Sequence, residues 1–131
     1  MFRITKITDY GFLLLVHMAT QEEGRLHNAK DLSKSLNVPL PTVSKVLKIL
    51  TQGAILKSHQ GSKGGYSLAR PANQISAAEV IEAIEGPLAI TDCSSAEGCK
   101  RNCRVSHSWK KVNGSMVGVL RQLTLADMAA E

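Results

Sequence analysis

The stretch NAKDLSKSLNVPLPTVSKVLKILTQGAILKSHQGSKGGYSLAR, residues 28–70, decides the fold. Asn28 has the chemistry of a helix N-cap, with Asp31 three residues on. Ala29, Leu32 and Leu36 then follow at the three- and four-residue spacing of one short helix. Asn37-Val38-Pro39 breaks it, because proline cannot continue the hydrogen-bond ladder. Pro41 restarts a helix, at a point where the missing N–H costs nothing. Val43, Val46, Leu47 and Leu50 make its buried face, and Thr42, Ser44, Lys45 and Lys48 fall on the others. Gly53 stops it. Ile55-Leu56-Lys57 and Tyr66-Ser67-Leu68 flank Gly61-Ser62-Lys63-Gly64-Gly65, which reads as a β-hairpin with a glycine-rich tip. Two short helices, a tight break and a hairpin spell a winged helix-turn-helix.

Working outward, Ile7, Tyr10, Leu14, Leu15 and Met18 form one apolar stripe, which predicts a helix over about residues 5 to 20. Ser76 opens a further helix with Glu79 as its capping-box partner, and Gly86-Pro87 ends it. A long helix starts around Cys103 or Arg104. Val105, Trp109, Val112, Met116, Val119, Leu120 and Leu123 give it a stripe sustained over about five turns. Thr124 and Asp127 form a second capping box, for a terminal turn. The long stripe exceeds what so small a domain buries by itself, so the helix reads as a dimerisation helix. Packing back on its own domain is the competing reading. The expected fold class is mainly α with a small β-hairpin wing.

With 131 residues, 44% of them apolar, the chain is long enough for one domain with a real core. Mean hydropathy near zero argues against disorder and against a membrane protein. No apolar run approaches the roughly 20 residues that span a bilayer. Arg3 and Lys6 precede Leu13-Leu14-Leu15-Val16, which is too short for a secretory signal, so a cytoplasmic location is expected. The formal charge is +5. Residues 30–70 hold Lys30, Lys34, Lys45, Lys48, Lys57, Lys63 and Arg70 against Asp31 alone, and this stretch carries the whole excess. Such a local basic face is the electrostatic footprint of a phosphate-binding surface, although a basic face can also be merely solvated.

All three cysteines, Cys93, Cys99 and Cys103, fall within eleven residues, followed by His107. An odd number so close together argues against a disulfide framework and for a ligand set. Gly98, Ser94, Ser95 and Ala96 are small enough for a loop that curls around an inorganic core, and Lys100, Arg101 and Arg104 would stabilise thiolates. Thiolates suit zinc or an iron–sulfur cluster, and the spacing alone does not separate the two. The chain divides into a winged helix-turn-helix DNA-binding domain over 1–87, a cysteine-rich loop over 88–103, and the dimerisation helix with its terminal turn over 104–131.

These residues, over nearly the whole chain, resemble the bacterial iron–sulfur winged-helix regulators that include IscR, NsrR and the regulators of SUF cluster-assembly operons. The resemblance rests on Ile4-Thr5-Lys6 with Thr8-Asp9-Tyr10, Pro41-Thr42-Val43-Ser44-Lys45, Gly61 to Tyr66, Glu85-Gly86-Pro87-Leu88 and the three cysteines. The stretch from Glu85 to Cys93 is most similar to the SUF branch. The resemblance implies a homodimer on double-stranded DNA. It places Pro41, Thr42 and Lys45, with Ser44 and Lys48 beside them, near the major groove, and Gln60 and Lys63 near the minor groove. Gln60 stands where some relatives carry arginine, which leaves the electrostatic part to Lys63. The resemblance also implies a cluster, 2Fe–2S or 4Fe–4S, on Cys93, Cys99 and Cys103. Three residues separate the second and third cysteines here, against five or more in common relatives. Two candidates stand for the fourth ligand. Asp9 matches the first-helix aspartate that NsrR-type proteins supply from the other subunit. His107 lies four residues after the last cysteine, against three in IscR-type proteins.

The function expected is that of a transcriptional regulator, a repressor of iron–sulfur assembly genes that senses cluster status. The alternatives are a nitric-oxide- or redox-responsive repressor of the NsrR type and a zinc-stabilised DNA-binding protein without a sensing cluster. An enzyme is disfavoured, because no Cys-x-x-Cys, phosphate-binding glycine loop or paired acid/base constellation is present.

Overall fold

The computed structural model describes residues 4–88 and 104–130. Helix α1 spans Lys6–Ala19, and the Thr5 hydroxyl caps it by accepting from the Thr8 N–H at 3.3 Å. Its buried row is Thr8, Gly11, Leu14, Leu15 and Met18. The row therefore passes through Thr8 and Gly11, while Ile7 and Tyr10 are half-buried beside it. The reason is close packing: a Cβ on Gly11 would stand 2.6 Å from the Ile84 Cδ1. The Thr8 hydroxyl meets its burial by donating to the Glu85 Oε2 at 2.9 Å.

Helix α2, Ala29–Leu36, starts on Asn28, whose side chain accepts from the Asp31 N–H at 2.8 Å. It ends on Asn37, which takes the left-handed conformation (φ 54°) that asparagine tolerates well. Helix α3, Leu40–Gln52, follows after two residues, with Pro41 in its first turn. Val43, Val46, Leu47 and Leu50 are its buried face, in agreement with the sequence pattern. Gly53 closes α3 with an ordinary negative φ, and Ala54 is the residue in the left-handed region (φ 61°). Gly53 is there for space, since a Cβ would meet the Ala83 Cβ at 2.7 Å.

Strands β1, Leu56–His59, and β2, Gly65–Leu68, form an antiparallel hairpin with Leu56 opposite Leu68 and His59 opposite Gly65. A 3-10 turn, Ala72–Gln74, leads to α4, Ala77–Glu85. The capping box of Ser76 and Glu79 is complete, with bonds of 2.9 and 3.2 Å. Burial works against ionisation of Glu79, but the Ser76 N–H and the Arg70 guanidinium outweigh it and hold its pKa below the usual value. Helix α5, Ser106–Gln122, begins two residues later than Arg104, and α6 is Leu125–Ala129. The Thr124–Asp127 capping box is likewise complete.

One core unites these pieces. Leu14, Leu15, Leu32, Val46, Leu47, Leu50, Ile55, Ile75 and Val80 are buried in it, and so is Leu125 of the terminal turn. Each such side chain contributes about 1.5–3 kcal/mol through removal from water. Helix α6 is stitched to the start of α4 by the Leu125 N–H donating to the Ile75 carbonyl (3.0 Å) and the Ala77 N–H to the Leu123 carbonyl (2.7 Å). It packs on α1, so the terminal turn shares the core of the winged unit. Helix α5 lies against α4 and contributes no buried residue.

Candidate nucleic-acid interface

The helix-turn-helix presents α3 because its apolar row anchors it from below. Val43, Val46 and Leu47 are fully buried, which fixes the rotation of the helix and sends Pro41, Ser44, Lys45 and Lys48 outward. These four are exposed, and Thr42 is half-buried at the first turn. The outer face thus carries two ammonium groups and one hydroxyl, without a carboxylate anywhere on the helix. Ammonium groups bind phosphate as point charges, and a serine hydroxyl serves either a phosphate or a base edge.

The wing is held by three elements. Strand pairing joins β1 to β2. The His59 Nε2 bonds the buried Ser67 hydroxyl across the strands at 2.9 Å. His27 adds a third line: its N–H donates to the Tyr66 carbonyl at 2.8 Å, and the Tyr66 N–H donates back at 2.7 Å. The bridge requires glycine at 65, where a Cβ would lie 2.7 Å from the His27 carbonyl oxygen. The wing tip, from Gln60 to Lys63, is exposed, and it offers one amide and one cation. Neither the His27–Tyr66 bridge nor the His59–Ser67 bond was read from the sequence. The first joins residues far apart in the chain, and the second depends on the register of the hairpin.

His27 is buried, with 7% of its surface exposed. Burial lowers its pKa, and the neighbouring His17 and Arg25 lower it further. Its ring stands edge-on to that of His17, with 6.0 Å between centroids.

The expected ligand residues divide in two. Asp9 is exposed in the first turn of α1, and His107 is exposed in the first turn of α5. Cys93, Cys99 and Cys103 lie outside the described residues. The chain on either side of them is placed: α4 ends at Glu85, tied to Thr8 next to Asp9, and α5 starts three residues after Cys103.

Residues 4–131 match the family model Rrf2, described as an iron-dependent transcriptional regulator. The chain is a member of the Rrf2 family. It is 32% identical over 130 residues to Rv1287 of Mycobacterium tuberculosis strain H37Rv, named as an HTH-type transcriptional regulator, which covers 97% of this chain and 81% of the relative. Among solved structures, it superposes on T. potens IscR with a TM-score of 0.76 and 25% identity, over 98% of this chain and 87% of that one. It superposes on CymR, the global cysteine regulator of B. subtilis, with a TM-score of 0.81 and 23% identity, over 99% and 98% of the two chains. The fold is therefore the winged helix of Rrf2 regulators, and the chain is a DNA-binding transcriptional regulator. No helix among the described residues is long and apolar enough to cross a membrane.

Proposed function

We propose that this Rrf2 protein is a homodimeric repressor that reads iron–sulfur cluster status and controls iron–sulfur assembly genes of the SUF type. One observation carries the reading. All the thiols of the chain fall between the last helix of a basic winged unit and a helix with an open apolar face. The donor set suits a cluster: three soft thiolates, with a carboxylate (Asp9) or an imidazole (His107) to complete it. Both candidates are exposed at the starts of their helices. A bound cluster would supply a centre that responds to iron, oxidant or nitric oxide.

The chain's own residues supply the route to DNA. Glu85 stands eight residues before Cys93 and holds Thr8 beside Asp9. A change at the cysteine segment thus bears on the start of α1, and α1 packs directly on α3. Val105, Val112, Val119 and Leu123 are exposed on or beside α5, which supports pairing with a second copy.

The test is anaerobic purification followed by an absorption spectrum with iron, sulfide and zinc analysis. The expected result is a brown protein with matched iron and sulfide, and Cys99→Ala should lose the visible absorption. A second reading, a zinc-stabilised regulator without a sensor, is favoured by the three-thiolate-plus-imidazole set that His107 would complete. A protein that stays colourless after anaerobic reconstitution and retains zinc would establish it against the cluster. Spectral bleaching by nitric oxide with loss of operator binding would instead select the NsrR-like alternative.

A further inference from the structure

A cleft of about 450 Å³ opens between the α1–α2 connection and the segment that follows β2. We propose that this cleft binds a small zwitterion of the α-amino-acid class with an apolar side chain. Its size falls within the range of small-molecule sites. Arg25 and Arg70 stand on its walls, Glu22 and Glu23 share the α1–α2 side, and Met18, Leu68, Ala72 and Ala126 provide apolar surface.

The charges are arranged for both ends of such a ligand. Arg25 uses one nitrogen to bond the Gln21 Oε1 at 2.8 Å, and Arg70 uses one for the Gln74 carbonyl and the Glu79 carboxylate, at 2.9 and 3.2 Å. A guanidinium has five N–H donors, so both keep donors that can fork a carboxylate. The exposed Glu22 and Glu23 supply the opposite charge for an ammonium group. An apolar side chain would then cover Met18 and Leu68.

His27 points independently to a ligand. It lines the cleft and is 7% exposed, and its buried Nε2 has no hydrogen-bond partner among the described residues. A buried polar atom left without a partner is costly, and a guest with a donor or acceptor that the His27 side of the cleft opens to admit would remove that cost. Burial, then His17 and Arg25, disfavour the imidazolium, and in the neutral ring Nε2 can serve as donor or acceptor. The backbone of His27 is bonded in both directions to Tyr66 of the wing. Occupancy of the cleft would therefore bear on the base of the wing and on operator affinity, whatever occupies the cysteine segment.

The experiment is a titration of the full chain followed by NMR at the His27 Cε1–H, assigned by its loss in His27→Gln. L-leucine and L-methionine are the probes, with 4-methylpentanoate and isoamylamine as the single-charge controls. The expected result is a saturable shift in the millimolar range or below with the amino acids. Each single-charge control should bind about tenfold more weakly, and so should L-leucine to Arg25→Gln, as loss of a charge-assisted contact implies. Absence of a saturable shift with either amino acid overturns the proposal. Equal binding of the carboxylate or the amine alone overturns the zwitterion assignment. None of these outcomes depends on iron, so the result stands apart from the cluster reading.

Discussion

His27 links stability to pH. Its folded pKa lies below the ordinary 6.5, because burial and then the charges of His17 and Arg25 disfavour the imidazolium, with Asp31 acting in the opposite sense. In the window between the folded value and 6.5 the unfolded chain binds more protons than the folded one. The contribution of His27 is therefore fully present above 6.5 and is lost as pH falls through that window. Urea unfolding on either side of 6.5 should show this loss. His27→Gln should flatten it, and a slope unchanged in that variant would assign the effect elsewhere. Gly65 makes a second prediction at this scale. Its Cβ position lies 2.7 Å from the His27 carbonyl oxygen, so Gly65→Ala must push the wing from the body. The expected cost is about 1–3 kcal/mol of stability, with weaker operator binding, measured by denaturation and by anisotropy of a labelled operator. Neither role was legible in the residue itself. A histidine in a loop and a glycine in a hairpin acquire them only when the two segments meet.

At the scale of the element, local chemistry was the legible part. The caps at Asn28, Ser76 and Thr124 use bonds within four residues, and the buried row of α3 follows from its own period, so each could be read without knowing the neighbours. What α1 and α6 touch was not legible. The buried row of α1 runs through Thr8 and Gly11 because Glu85 and Ile84 of α4 arrive there. The terminal turn looked like an appendage of α5, yet Leu125 is completely buried against the core. Leu125→Ala should accordingly cost about 2–5 kcal/mol, as for other large-to-small core changes, and a shift within the noise of the denaturation curve would remove α6 from the cooperative unit. Helix α3 carries the DNA prediction. Lys45 and Lys48 are exposed on a helix without acids. Lys45→Ala should weaken binding and reduce the salt slope, log affinity against log salt, by about 1, the signature of one lost phosphate contact. An unchanged slope would show that Lys45 does not meet phosphate.

At the scale of the whole molecule, the question is what the open face of α5 does. Val105, Trp109, Val112, Met116, Val119 and Leu123 follow one another at alternating spacings of four and three residues, the seam pattern of paired helices. Within one chain that seam is largely outside: Val105 is 49% exposed, Val112 47% and Val119 66%. Helix α4 covers another side of α5, and the Asn113 side chain donates to the carbonyl of Leu88, three residues beyond α4, at 3.2 Å. The helix thus lies on its own domain by one side and leaves an apolar side exposed, the side the proposed homodimer would use. A helix of 17 residues makes a seam about 25 Å long. Two winged units joined this way would address two half-sites about one helical turn of DNA apart, or a multiple of it. Charges placed in the seam should separate them. The double variant Val112→Glu, Val119→Glu should sediment as a folded monomer with unchanged helical circular dichroism. Its affinity for a two-half-site operator should fall toward that for a single half-site, because the two contacts no longer reinforce each other. A variant that remains dimeric would move the interface off α5. One that becomes monomeric with full affinity would show that each chain reads its operator independently of the other.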